Sequence, residues 1–122
     1  MGTVNKKKAQ QIRRKKRVRK KIFGTGERPR MSVFRSAKHI YVQVIDDNTG
    51  ATLASASSLS PEVKTEVSGL NKRDVAKKVG ALAAQRCLDA KVNTVVFDRN
   101  GFMSSGRIAA VADAAREAGL KF

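Results

Sequence analysis

The chain has 122 residues, room for about one hydrophobic core, and carries 26 Lys and Arg against 10 Asp and Glu, a net charge of +16. With 41% hydrophobic residues it is not a disordered polycation throughout, and its single cysteine excludes an internal disulfide or a cysteine-rich zinc site. No run approaches the roughly 18 apolar residues of a membrane span, and no apolar stretch precedes a small-residue cleavage site, so a small intracellular domain with a polyanionic partner is expected.

The charge is unevenly placed. Residues 1–26 hold 11 basic residues and no acid, whereas residues 27–122 hold 15 basic and 10 acidic ones. This predicts a basic arm, 1–26, on a globular domain, 27–122. Within the arm, Arg13, Arg14, Arg17, Arg19, Lys20 and Lys21 accompany too few large apolar residues to build a core. Like-charge repulsion at i,i+4 opposes a helix in isolation, and a phosphate backbone removes that repulsion. The arm is therefore expected to be loose when free and largely helical when bound. It lacks the serines of a targeting peptide and the continuous apolar face of a membrane-surface helix. Nucleic acid is the favoured partner, with a solvated tail as the alternative.

Gly24-Thr25-Gly26 lacks the rest of a phosphate-loop fingerprint and is expected to be a flexible hinge. A strand is predicted over Met31–Ser36 and another over His39–Asp46, where Ile40, Val42 and Val44 alternate with Tyr41, Gln43 and Ile45. Asp47-Asn48-Thr49-Gly50 is turn chemistry, and Ala51–Ser58 returns as a third strand of small residues that something must pack against closely. Ser60-Pro61-Glu62 starts a short helix. Asn71 caps a longer one running to about Ala90, whose apolar side is Val75, Val79, Leu82, Ala83 and Cys87. Thr94–Phe97 is predicted as a strand buried on both faces, Asp98–Gly106 as a loop, and a last helix from about Ser105 to Gly119 buries Ile108, Val111, Ala112 and Ala115. The fold class is α/β: a mixed β-sheet in β-β-β-α-β-α order, with helices packed on it, plus the basic N-terminal extension.

Catalytic chemistry finds little support. Asp46 and Asp47 are adjacent and would point to opposite faces of a strand, so a turn explains them better than a paired-carboxylate site. His39 has no second histidine or cysteine at ligand spacing, and Cys87 belongs to an apolar helix face. The informative cluster is Arg35, Lys38, His39, Tyr41 and Gln43 around one tight connection, where a base can stack and phosphates can bind. Arg99 and Arg107 bracket a loop that can add two phosphate contacts. Aromatic residues are sparse, which favours structured RNA recognised by shape and backbone over a single-strand reader.

The blocks Glu27-Arg28-Pro29-Arg30-Met31-Ser32-Val33-Phe34-Arg35-Ser36, Lys38-His39-Ile40-Tyr41 and Gln43-Val44-Ile45-Asp46-Asp47 resemble the family of bacterial-type large-subunit ribosomal protein eighteen. So do Thr52-Leu53-Ala54-Ser55-Ala56-Ser57, Phe97-Asp98-Arg99, Gly106-Arg107 and the stretch Ala112–Leu120. The resemblance spans nearly the whole chain. It implies a non-catalytic, cytoplasmic protein of the large ribosomal subunit, without cofactor, that binds 5S rRNA and helps attach it to 23S rRNA in the central protuberance. A neighbouring 5S-binding protein, number five of the large subunit, is implied as a partner. Carried onto this sequence, the RNA-binding residues are those of the arm together with Arg28, Arg30, Arg35, Ser36, Lys38, His39, Tyr41, Arg99 and Arg107. Ala37 stands where the family often has Asn, and Asn100 and Met103-Ser104-Ser105 depart from its usual Gly and aromatic-His pair.

Overall fold

A computed structural model describes residues 9–13, 22–66, 69–102 and 106–122. Three strands form the expected meander: β1 (Arg30–Arg35), β2 (Ile40–Asp46) and β3 (Ala51–Ser57). Both pairings are antiparallel, with Met31 opposite Val44 and Val33 opposite Val42. A period of two puts Met31, Val33, Ile40, Val42 and Val44 on one face, each at most 1% exposed. Burying side chains of this size contributes roughly 1.5–3 kcal/mol apiece. The β2–β3 turn closes as its residues predict: Gly50 N–H donates to the Asp46 carbonyl, and Asp46 Oδ1 accepts from Asn48 N–H.

After β3 comes a single helical turn, α1 (Pro61–Lys64), with Pro at its start. The long helix α2 (Lys72–Asp89) is capped as expected, Asn71 Oδ1 accepting from Asp74 N–H at 2.8 Å. It lies across the sheet and reaches β3, where Arg86 Nη1 donates to the Ser55 carbonyl and Nη2 pairs with Glu62. The last helix, α3 (Gly106–Glu117), buries Ile108, Val111, Ala112 and Ala115 as predicted, and Ala110 and Ala114 besides.

The apolar side of α2 differs from the expected stripe. Val79, Ala83 and Cys87 are buried, but Val75 and Leu82 are only half-buried, while Ala76, Gly80 and Ala84 are fully enclosed. The reason is that α2 has two neighbours, the sheet and α3, so a second face made of small residues is buried as well. At Gly80 the approach is closest: a Cβ there would lie 2.5 Å from the Val111 carbonyl oxygen. Gly80→Ala gains helix propensity of about 0.5–1 kcal/mol. Forcing two helix backbones apart costs about 1–3 kcal/mol, so the variant is expected to be less stable in urea denaturation; equal or greater stability would contradict this packing. Burial pushes the Cys87 thiol up to about 11, which keeps it an inert core residue.

The fourth strand is also shifted. β4 comprises Val96–Asp98 rather than Thr94–Phe97, and it pairs in parallel with β1, giving the order β3-β2-β1-β4. Val95 is fully buried, but Val96 and Phe97 are half-buried because β4 is an edge strand. Thr94 is in a separate bridge with Lys121, and Phe97 stacks on Phe122 with ring centroids 5.5 Å apart. Asp98, expected to begin a loop, ends β4 with 0% exposure.

The connection into β1 is not a flexible hinge. Gly24 N–H donates to Asp47 Oδ2 and the Gly24 carbonyl accepts from Asp47 N–H, both at 2.8 Å. A Cβ on Gly24 would lie 2.6 Å from the Ile45 carbonyl oxygen, so only glycine fits this approach. Thr25 and Arg28 then close a turn through two hydrogen bonds of 3.0 Å.

Candidate nucleic-acid interface

The long helix α2 packs on the core face of β2 and β3, with α3 against α2. The opposite face is a shallow groove of about 560 Å³, lined by Ser32, Phe34, Tyr41, Gln43, Ile45 and Ser55 among others. Register explains its content, since Phe34 lies opposite Tyr41 and Ser32 opposite Gln43 on the non-core face. Phe34 is 47% exposed, and its ring lies 6.2 Å from Tyr41 and 5.7 Å from Phe102. His39 lies 6.4 Å from Tyr41 on the other side. Sparse as aromatics are in the composition, the fold collects three of them and the only histidine at one end of the sheet. Phe34 was legible in principle, because it shares strand parity with Tyr41 rather than with the core; Phe102 was not, because the chain returns it from far away.

At this end sits the β1–β2 connection. Ser36 N–H donates to the His39 carbonyl at 2.8 Å, and Ser36 Oγ accepts from His39 N–H at 3.1 Å. The turn thus closed leaves Ala37 and Lys38 exposed. The Ser36 hydroxyl works within the turn, while its carbonyl accepts a 3.0 Å hydrogen bond from Arg107 Nη2 at the start of α3. His39 Nδ1 is 3.0 Å from Ser58 Oγ, which orients the imidazole. Arg35 stacks its guanidinium 4.9 Å from the centre of the Phe102 ring. Partial burial and the like charge of Arg35 lower the Arg107 pKa. The fold therefore gathers Arg35, Ser36, Lys38, His39, Tyr41 and Arg107, bringing Ser36 and Arg107 together across 71 positions of sequence. The ion pairs of the described residues fall elsewhere, at Arg30, Lys77, Lys78, Arg86 and Arg116, leaving this cluster as an uncompensated positive surface.

Arg30 lines the groove too, but unlike that cluster it is paired. Its guanidinium is buried and grips two carboxylates: Nη1 to Asp98 Oδ2 at 2.8 Å, Nε to Asp47 Oδ2 at 2.9 Å and Nη2 to Asp47 Oδ1 at 3.1 Å. These hydrogen bonds, those of Asp47 foremost, outweigh burial and raise its pKa. Arg30 is thus the hub of a largely buried triad, and it also lines the groove of the non-core face together with Ser32 and Phe34. Asp47 likewise does more than make a turn.

Arg28 and Arg13 are exposed and Arg99 is half-buried. The expected arm residues Arg14, Arg17, Arg19, Lys20 and Lys21 lie outside the described residues, whereas residues 9–13 are helical, with Gln11 Nε2 donating to the Asn100 carbonyl at 3.3 Å. Residues 99–102 form a tight turn, Phe102 N–H donating to the Arg99 carbonyl, with Asn100 at φ 56° and Gly101 at φ 78°. Asparagine tolerates this left-handed conformation, so its departure from the family glycine preserves the turn that brings Phe102 to Arg35.

Among the described residues no group of three His, Cys, Asp or Glu side chains could hold a metal ion, and no helix is long and apolar enough to cross a membrane. The family described as ribosomal L18 of archaea, bacteria, mitochondria and chloroplasts matches residues 5–122. The large ribosomal subunit protein uL18 of Myxococcus xanthus is 65% identical over 111 residues, covering 91% of this chain and 93% of that protein. Those of Desulfosudis oleivorans and Geotalea uraniireducens are each 56% identical, with all of both chains covered. Match and identity over this much of the chain establish that it belongs to the L18 family of ribosomal proteins, as a structural, non-enzymatic constituent of the large ribosomal subunit.

Proposed function

We propose that this protein binds 5S rRNA and helps attach it to 23S rRNA in the central protuberance, next to large-subunit protein number five. The observation that carries the reading is the unpaired cationic cluster of Arg35, Lys38 and Arg107 beside exposed aromatic rings. Phosphates meet the cations, which set orientation, while unstacked bases can lie on Phe34, Tyr41 or the Arg35 plane. Ser36 holds Arg107 and shapes the turn, and His39 donates or stacks at its rim. Arg28, Arg99 and the basic residues of the arm extend the contact along the RNA backbone.

The test is competition at about 150 mM salt, where long-range charge effects are largely screened. Labelled 5S rRNA bound to the protein is challenged with excess unlabelled 5S rRNA, tRNA and duplex DNA. Efficient competition by 5S rRNA alone is the expected result. Equal competition by all three would mean that charge alone sets binding, as in a nonspecific DNA-compacting protein, and would overturn the assignment.

A further inference from the structure

Behind the Ser36–His39 turn, on the side of α2, lies a recess of about 150 Å³. Lys38, His39, Lys72 and Arg107 line it, around the apolar Ile40 and Val75. Three of these are full cations drawn from three separate elements, and among the described residues no carboxylate lines the recess. The space is ample for one phosphate group. Lys72 opens α2, where the helix macrodipole favours an acid over a base. Lys72 and Arg73 both go against that preference, so it is the place of Lys72 in the recess lining that singles it out. Arg107 is held by its bond to the Ser36 carbonyl, and the His39 ring by its contact with Ser58.

We propose that this recess seats a single backbone phosphate of bound RNA, and that Lys72 is a phosphate-binding residue alongside Lys38, His39 and Arg107. The inference rests on the RNA-binding reading above and adds to it a residue far in sequence from the β1–β2 block. Arg73 provides the control: it is exposed on the same turn of α2 and does not line the recess.

The experiment measures RNA affinity against salt for the full-length protein, Lys72→Gln, Lys72→Arg and Arg73→Gln. Lys72→Gln is expected to weaken binding about three- to tenfold and to shallow the slope of log K against log salt by about 0.7–0.9, the loss of one phosphate contact. Lys72→Arg should restore the slope, and Arg73→Gln should leave it unchanged. Equal effects of Lys72→Gln and Arg73→Gln would reduce the recess to part of a general field and overturn the proposal, as would no effect of Lys72→Gln. The comparison is made on whichever structured RNA the protein binds best. A Lys72-specific slope change on an RNA other than 5S rRNA would uphold the recess and overturn the 5S reading. A 5S preference that Lys72→Gln leaves intact in affinity and slope would do the reverse, and failure to bind any RNA overturns both.

Discussion

Replacing Arg30 by alanine is expected to cost about 3–5 kcal/mol of folding stability, the usual loss when one partner of a buried charged group is removed. Asp98 is fully buried and Asp47 mostly so, with the Arg30 guanidinium filling the space between them. Without it, both carboxylates lose the charge-assisted hydrogen bonds that Arg30 donates, in a site of low dielectric. The loss measures the cost of removing one partner from buried carboxylates rather than the net worth of the triad. Arg30→Lys should recover only part of it, because one ammonium cannot reproduce a fork that meets Asp47 twice and Asp98 once. Urea denaturation measures both variants, and amide exchange adds a local readout: Gly24, whose N–H is held by Asp47, should lose protection first. Arg35→Ala is the contrast, since an exposed cation–π contact is worth about 0.5–1 kcal/mol. A loss at Arg30 no larger than at Arg35 would contradict the triad's structural role.

Affinity for structured RNA is expected to fall by roughly 10³–10⁵-fold between about 50 and 200 mM salt, the behaviour of a protein that engages about 6–10 phosphates of a duplex. The count is reachable without Arg30. The arm alone carries 11 basic residues, and Arg28, Arg35, Lys38, Arg99 and Arg107 add to it on the body. Each contact releases condensed counterions, and that release weakens as bulk salt rises. Where the arm meets single strands the slope is shallower per contact. Binding titrations across this salt range measure it directly, and an affinity nearly independent of salt would remove the electrostatic account of the interface.

Much of the fold was legible because its signals are local. Ile40, Val42 and Val44 announce a half-buried strand by alternation, and Asn71 announces a helix start by its side-chain acceptor. The Arg35–Tyr41 part of the interface was equally local, built by one short turn. What stayed hidden depends on residues that only the fold brings together. Nothing near Arg30 in sequence distinguishes it from Arg28 or Arg35, and its burial is decided by Asp98, 68 positions away. Gly80 and its alanine neighbours look like weak helix positions until α3 supplies a second packing surface. The strand at residues 94–97 was misjudged because apolar residues on both faces suggest a central strand. Here they serve an edge strand flanked by the C-terminal residues.

Gly24, pinned to Asp47 through both its N–H and its carbonyl, gives the basic segment before it a fixed origin on the body. In the proposed RNA complex, once the β1–β2 turn docks, the arm's encounter with neighbouring phosphates would be intramolecular, at an effective concentration on the order of millimolar for a short tether. A separate peptide of the same sequence would have to be supplied near that concentration to do the same work. The rigidity of one glycine thus sets how two individually modest contacts multiply into one tight grip.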